Sequence, residues 1–158
     1  RGLGDVYKRQ LVKVNNLSLT ERQKLIVNDL FYSINDIERV GDHAENLAEQ
    51  AEYMVQHNIS FSETGESDLH VICETAFSSF KHSINARQKG DMDDVRKVSQ
   101  YEDEVDTLEE ELREKHIERL SAGKCDPSAG GVFLDLISNL ERISDHAYNI
   151  AGYVKDEM

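Results

Sequence analysis

Two stretches decide the fold of this chain: DIERVGDHAENLA at Asp36–Ala48 and NLERISDHAYNIA at Asn139–Ala151. They align at a constant offset of 103 residues, Glu38 falling on Glu141. The residues are identical at Glu38/Glu141, Arg39/Arg142, Asp42/Asp145, His43/His146, Ala44/Ala147, Asn46/Asn149 and Ala48/Ala151. Apolar residues step by three and four through both copies, so each copy reads as an amphipathic helix and the pair as an internal repeat.

Working outward, Thr20 and Gln23 have the spacing of a capping box, which opens a helix over Glu21–His57. Its inward positions are Leu30, Ile34, Ile37, Val40, Ala44, Leu47, Ala51 and Met54. Asn58–Gly65 reads as a loop. A second helix is expected over Glu66–Lys89, with Leu69, Ile72, Cys73, Ala76, Phe80 and Ser83 on one face and Gly90 as its stop. A third covers Asp91–Leu120, with Val98, Tyr101, Val105, Leu108 and Leu112 inward. Asp126 as N-cap and Pro127 at the first helical position open a fourth, burying Phe133, Ile137, Leu140, Ile143, Ala147, Ile150 and Val154. No segment alternates as a strand does. The fold class is all-α, an antiparallel helical bundle.

Composition narrows the function. A net charge of -13 argues against nucleic acid or anionic lipid as a direct partner, because phosphate contacts need clustered Lys and Arg. No window approaches the roughly 18 consecutive apolar residues of a membrane span. Cys73 and Cys125 lack paired metal spacing, and Cys73, on an apolar face, is expected as a buried free thiol, which favours a reducing compartment. There is no glycine-rich phosphate loop, no H-E-x-x-H and no nucleophile–base arrangement, so the chain is not expected to be an enzyme.

The opening RGLGDVYKRQ, Arg1–Gln10, differs from everything after it. Asp5–Gln10 can be encoded by GAT GTG TAT AAG AGA CAG, which resembles a transposon end used in sequencing libraries. The segment 1–10 is therefore expected to be a non-native, adapter-derived addition outside the fold. Residues 11–60 then form the C-terminal part of a first repeat, and 61–158 a complete second repeat of three helices. The first repeat lacks most of its earlier helices, so the native reading frame is expected to extend upstream.

Carboxylates recur at four-residue spacing: Glu38 with Asp42, Glu102 with Asp106, and Glu141 with Asp145. The first and last pairs each lie at one edge of an apolar stripe, where facing acids repel. Spacing alone leaves two readings open, a hard-cation site with oxygen ligands or a solvated acidic face. His43 and His146 lie on the flank away from the acids and are not counted as ligands. His116 falls in an apolar stripe and is expected as a hydrogen-bonded core histidine. Gly41, Ala44, Ser144 and Ala147 are expected to let helices approach closely.

The motif E-R-[VI]-x-D-H-A-x-N-[LI]-A, present twice, resembles the signature helix of PhoU domains, three-helix units that act, usually in pairs, in bacterial phosphate homeostasis. Some bind metal clusters through acidic E/D-x-x-x-D motifs. The resemblance implies a metal site of Glu102, Asp106, Glu141 and Asp145, and half of another at Glu38 and Asp42. The metal would be iron, or another hard cation such as manganese or magnesium, with zinc less suited. Asp36 becomes Asn139 in the second copy, a departure that changes the charge count. A narrower stretch, HIERL…GKC…AG…FLDLISNLERI within Glu114–Ala151, is similar to the cytoplasmic tail of bacterial sodium/phosphate cotransporters. It implies a regulatory module at the inner face of the membrane, joined to a missing transmembrane region and partnered by that transport domain or by a second copy of itself. The alternatives are a stand-alone PhoU-type regulator of a phosphate ABC transporter and its sensor kinase, or a metal-free helical oligomerisation module.

Overall fold

The structure, a computed structural model, describes residues 2–124 and 126–158, so the reading of Cys125 lies outside the described residues. Five helices follow one another: α1 Gly2–Asn15, α2 Glu21–His57, α3 Glu63–Lys89, α4 Met92–Ser121 and α5 Pro127–Glu157. The described residues contain no strand.

Local chemistry sets the boundaries. Thr20 Oγ1 accepts the Gln23 N–H while Gln23 Oε1 accepts the Thr20 N–H, closing the expected capping box. Asn58, at φ 52°, ends α2 in the left-handed region. Helix α3 starts at Glu63, earlier than expected, because the Ser62 hydroxyl accepts the Gly65 N–H and caps it. Gly90 closes α3 at φ 65°, and Asp91 caps α4 through the Asp93 N–H. Asp126 caps α5, with Pro127 in its first turn.

Helix α5 is the centre of the molecule. It packs against α2, α3 and α4, and α3 also packs on α4, whereas α2 touches only α5 and α1. The result is a three-helix unit, α3–α4–α5, with the earlier motif helix laid along the outer side of α5. One core cluster joins Ile72 and Ala76 of α3, Val105 and Leu112 of α4, and Phe133, Ile137 and Leu140 of α5. A second joins Ala86, Val95, Val98, Ala147, Ala151 and Val154. Burying each larger side chain of this set contributes on the order of 1.5–3 kcal/mol. All seven inward positions expected on α5 are buried.

Gly2–Gln10, whose sequence reads as adapter-derived, is helical, runs on into Leu11–Asn15 as α1 and packs on α2. Three expectations are corrected. Helix α2 buries Asp29, Ser33, Asp36 and Val40, while Ile37, Ala44 and Ala51 are exposed. Its α5-facing side is therefore the polar one, which hydrophobic periodicity does not detect. Cys73 is exposed rather than buried, because Ile72 and Ala76 carry the inward stripe of α3. Gly41 and Ala44 lie outside any close helix contact, and a Cβ at Gly41 would meet nothing within 4 Å, whereas Ser144 and Ala147 are fully buried as expected.

Candidate metal centre

Helices α4 and α5 lie side by side, so the acids they carry at four-residue spacing meet across the groove between them. Glu102, Asp106 and Asp145 each offer a carboxylate oxygen, and these oxygens all lie within 4.8 Å of one another. Two ligands of one ion can stand no further apart than twice the metal–oxygen bond, or about 4–5 Å for bonds of about 2.0–2.6 Å. The three oxygens therefore fit around one hard cation. Glu102 and Asp145 are half-buried and Asp106 is exposed, which leaves the groove open to ions and water.

Glu141 stands one turn before Asp145, outside the group of three but inside its field. Burial, then the charges of Asp106, Asp103, Asp145 and Glu141, push the Glu102 carboxyl above its ordinary range. Burial and then Asp145 do the same for Asp106. Burial and Asp145 raise Glu141, with Arg142 pulling the other way. Arg142 reaches Asp145 at 3.2 Å and Glu141 at 3.5 Å, and Arg113 is held by Glu109. The two guanidiniums neutralise only part of the charge. Oxygen-only donors with surplus negative charge suit a hard cation, and that chemistry fits the residues present.

The first copy is built differently. Glu38 is ion-paired to Lys8 of α1, and a Cβ at Gly4 would stand 2.1 Å from Glu38 Oε1. Glu38 and Asp42 line an open depression with Asp5, Lys8, Arg39 and Glu45. Among the described residues, Glu38 and Asp42 are not part of a three-acid group comparable to that on α4 and α5.

The motif's histidines and asparagines work at the α2–α5 contact, which the sequence did not reveal. Asp36 accepts hydrogen bonds from His146 Nδ1 at 2.7 Å, Asn149 Nδ2 at 3.2 Å and the Tyr153 hydroxyl at 2.9 Å. Asn139 Oδ1 accepts from His43 Nδ1 at 2.9 Å and Asn46 Nδ2 at 3.1 Å. The two imidazoles stack, with centroids 5.7 Å apart. The signal that could have found this is the simultaneous repetition of Asp/Asn, His and Asn at one spacing in both copies.

The pattern matches a known family: the PhoU domain, over residues 69–154. The chain belongs to the PhoU domain family. Its PhoU domain comprises most of α3, all of α4 and most of α5, with the acids of the groove inside it. The chain is 28% identical over 142 residues to the phosphate-specific transport system accessory protein PhoU homolog 1 of Thermotoga maritima, covering 86% of this chain. It spans 57% of that curated relative's length. The crystal structure of PhoU from Pseudomonas aeruginosa superposes with a TM-score of 0.90, covering 99% of this chain and 76% of that one at 21% identity. The PhoU fold thus includes α1 and α2 as well. No helix among the described residues is long and apolar enough to cross a membrane.

Proposed function

We propose that this chain is a non-catalytic PhoU-type regulatory module of phosphate transport, working in the cytoplasm with the transport machinery, and that a hard cation bridges α4 to α5. The observation that carries the metal reading is the meeting of Glu102, Asp106 and Asp145 within one coordination sphere. Glu141, one turn away, supports that sphere by charge. The ion, iron or another oxygen-preferring cation, would offset the repulsion of the acids and so tie α4 to α5. The presenting surface for a partner would then be the acidic groove and its rim.

The stand-alone accessory protein is favoured over the cotransporter tail, because the curated relative bears the former name and aligns over 86% of this chain. The cotransporter reading rests on the HIERL…GKC…AG…FLDLISNLERI stretch alone. Deleting the gene in its host and following uptake of radiolabelled phosphate tests the proposal. Deregulated uptake, restored by the intact gene but not by an Asp106→Asn/Asp145→Asn copy, is the expected result. Unchanged uptake after deletion would remove the regulatory reading.

A further inference from the structure

His116, Arg119, Lys124 and Ala129 of the HIERL…GKC…AG segment play no part in the acidic groove, yet they converge at one end of the bundle. A pocket of about 240 Å³ opens there, lined by Ser60, Ser62, His116, Arg119, Lys124 and Asp126, with Phe61, Gly65, Ala129 and Phe133 completing its walls. One water occupies roughly 30 Å³ of liquid, so the pocket is large enough for a tetrahedral oxyanion with part of its hydration shell. We infer that this pocket binds a phosphate group, with Arg119 and Lys124 as its charged donors and the hydroxyls of Ser60 and Ser62 as neutral ones. The inference stands on this pocket and is independent of the metal reading.

Three features point the same way. The first is the α4 C-terminus. Gly123, at φ +67°, turns the chain so that the Lys124 N–H bonds back to the Arg119 carbonyl at 2.9 Å. That closure brings the two basic residues to one wall of the pocket. In a chain of net charge -13, this concavity is lined by two cations, Arg119 and Lys124, against one carboxylate, Asp126.

The second is the pair of helix N-termini, α3 capped by Ser62 and α5 capped by Asp126, which both border the pocket. Their positive dipole ends favour an anion between them. Two carboxylates are also close, and both are engaged. Asp126 Oδ1 accepts the Ser128 N–H at 2.6 Å and the Ala129 N–H at 3.4 Å. Asp68 reaches Arg119 only at 3.9 Å, a long contact that a bound anion can compete with. Lys124 meets no carboxylate in an ion pair among the described residues.

The third is His116. It is 5% exposed, lines the pocket, and its Nε2 has no hydrogen-bond partner. The expected hydrogen bond of a core histidine is therefore absent at that nitrogen. The ring stacks on Phe133 at 5.1 Å, and Nε2 lies in the notch left by Gly130, where a Cβ would stand 2.7 Å away. Burial and then the charge of Arg119 lower its pKa, which favours the neutral ring. Nε2 itself is enclosed against Gly130, so a ligand meets the ring only along the edge that lines the pocket, as an uncharged wall beside Arg119 and Lys124.

The test is an NMR titration of the whole chain with inorganic phosphate at constant ionic strength, with AMP as a second arm. The signals followed are the His116 ring and the backbone amides of Ser62–Gly65. Saturable shifts are expected, and Arg119→Gln and Lys124→Gln should each weaken binding about tenfold or more, the scale of a lost charge-assisted contact. Lys124 is exposed and Arg119 half-buried, and unchanged circular dichroism verifies that the variants fold. Saturation by inorganic phosphate identifies the free ion as ligand, while saturation by AMP alone identifies the phosphoryl end of a nucleotide. Shifts that never saturate with either compound overturn the inference, as do shifts that persist in both variants. Binding abolished by Asp106→Asn but not by Lys124→Gln would place the anion at the acidic groove instead, and would also overturn it.

Discussion

Asp36 Oδ1 lies 2.7 Å from His146 Nδ1, and the same bond recurs with the helices exchanged, between Asn139 and His43 at 2.9 Å. The two motif helices thus clasp one another through equivalent residues of the repeat, each Asp or Asn accepting from the other helix's His and Asn. The two halves differ in charge. Asp36 is a buried carboxylate with three donors, one of them Tyr153, whereas Asn139 is neutral with two from α2. The position equivalent to Tyr153 in the first copy is Gln50, which turns to Asp135.

Asp36→Ala removes the acceptor and strands His146, Asn149 and Tyr153. A hydrogen bond to a charged acceptor is worth roughly 1.5–3 kcal/mol and water re-solvates part of the loss, so the expected destabilisation is about 2–4 kcal/mol. Asp36→Asn, which makes the clasp neutral on both sides, should cost less than half of that. Urea unfolding monitored by circular dichroism measures both. Equal losses for the two variants would show that burial at position 36, rather than the clasp, sets the energy.

Tyr153 gives the clasp a pH signature. Burial, then its hydrogen bond to Asp36 and the charge of that carboxylate, raises the phenol from 10 to about 12. The folded state thus keeps a proton that the unfolded chain releases. This stability is fully present below pH 10 and is lost as pH rises through about 12. Titration of phenolate absorbance should show one late-ionising tyrosine, and Asp36→Asn should bring it back toward the others. A tyrosine titration with no late component would contradict the bond.

The helices and the α5 core were legible because they depend on local chemistry and on a strong apolar stripe. Thr20, Gly90, Asp126 and Pro127 each announce a boundary through backbone donors and acceptors that any helix end must satisfy. Asp106 and Asp145 were legible as a pair because regular helices turn sequence spacing into a shared face. The buried side of α2 was not legible: Asp36 is buried because its partners His146, Asn149 and Tyr153 lie more than a hundred residues away, and Ser33 is buried with its hydroxyl turned back to the Asp29 carbonyl of its own helix. Periodicity sees hydrophobicity alone. The pocket at Lys124 was not legible for the same reason, since its walls come from three separate segments joined only by the fold.

Asp29 illustrates the cost of that polar face. It is 6% exposed, its Oδ2 has no partner, and Arg87 beside it is held by Glu157. Burial, then Glu157 and Asp156, raises its carboxyl above the ordinary 3.8. A raised acid makes the folded state weaker as pH climbs above 3.8, because the proton it prefers is lost. Asp29→Asn keeps the shape and discards the charge, so stability at neutral pH should rise by about 1 kcal/mol. The gain should vanish near pH 3.8, where the wild-type acid is itself protonated. Thermal unfolding at both pH values tests this, and a loss of stability at neutral pH would mean that Arg87 outweighs the desolvation.

The acidic groove gives the prediction on which the metal reading depends. Without a cation, Glu102, Asp106 and Asp145 repel one another across α4 and α5, and Arg142 offsets this only at the Asp145 end. Asp106→Asn removes one repelling charge while keeping an oxygen in place, so the metal-free protein should become more stable by about 0.5–1 kcal/mol, the scale of partly solvated charge pairs. The same substitution takes away an anionic ligand from a site that has three, so iron or manganese should bind at least about tenfold more weakly. The two effects have opposite signs, and that opposition separates a binding site from a merely solvated face. Melting curves recorded after chelation and again after adding metal should cross: the variant melts higher without the ion, the wild type higher with it. If metal leaves the wild-type melting temperature unmoved while Asp106→Asn still stabilises, the carboxylates are an acidic surface and the bridge between α4 and α5 does not exist.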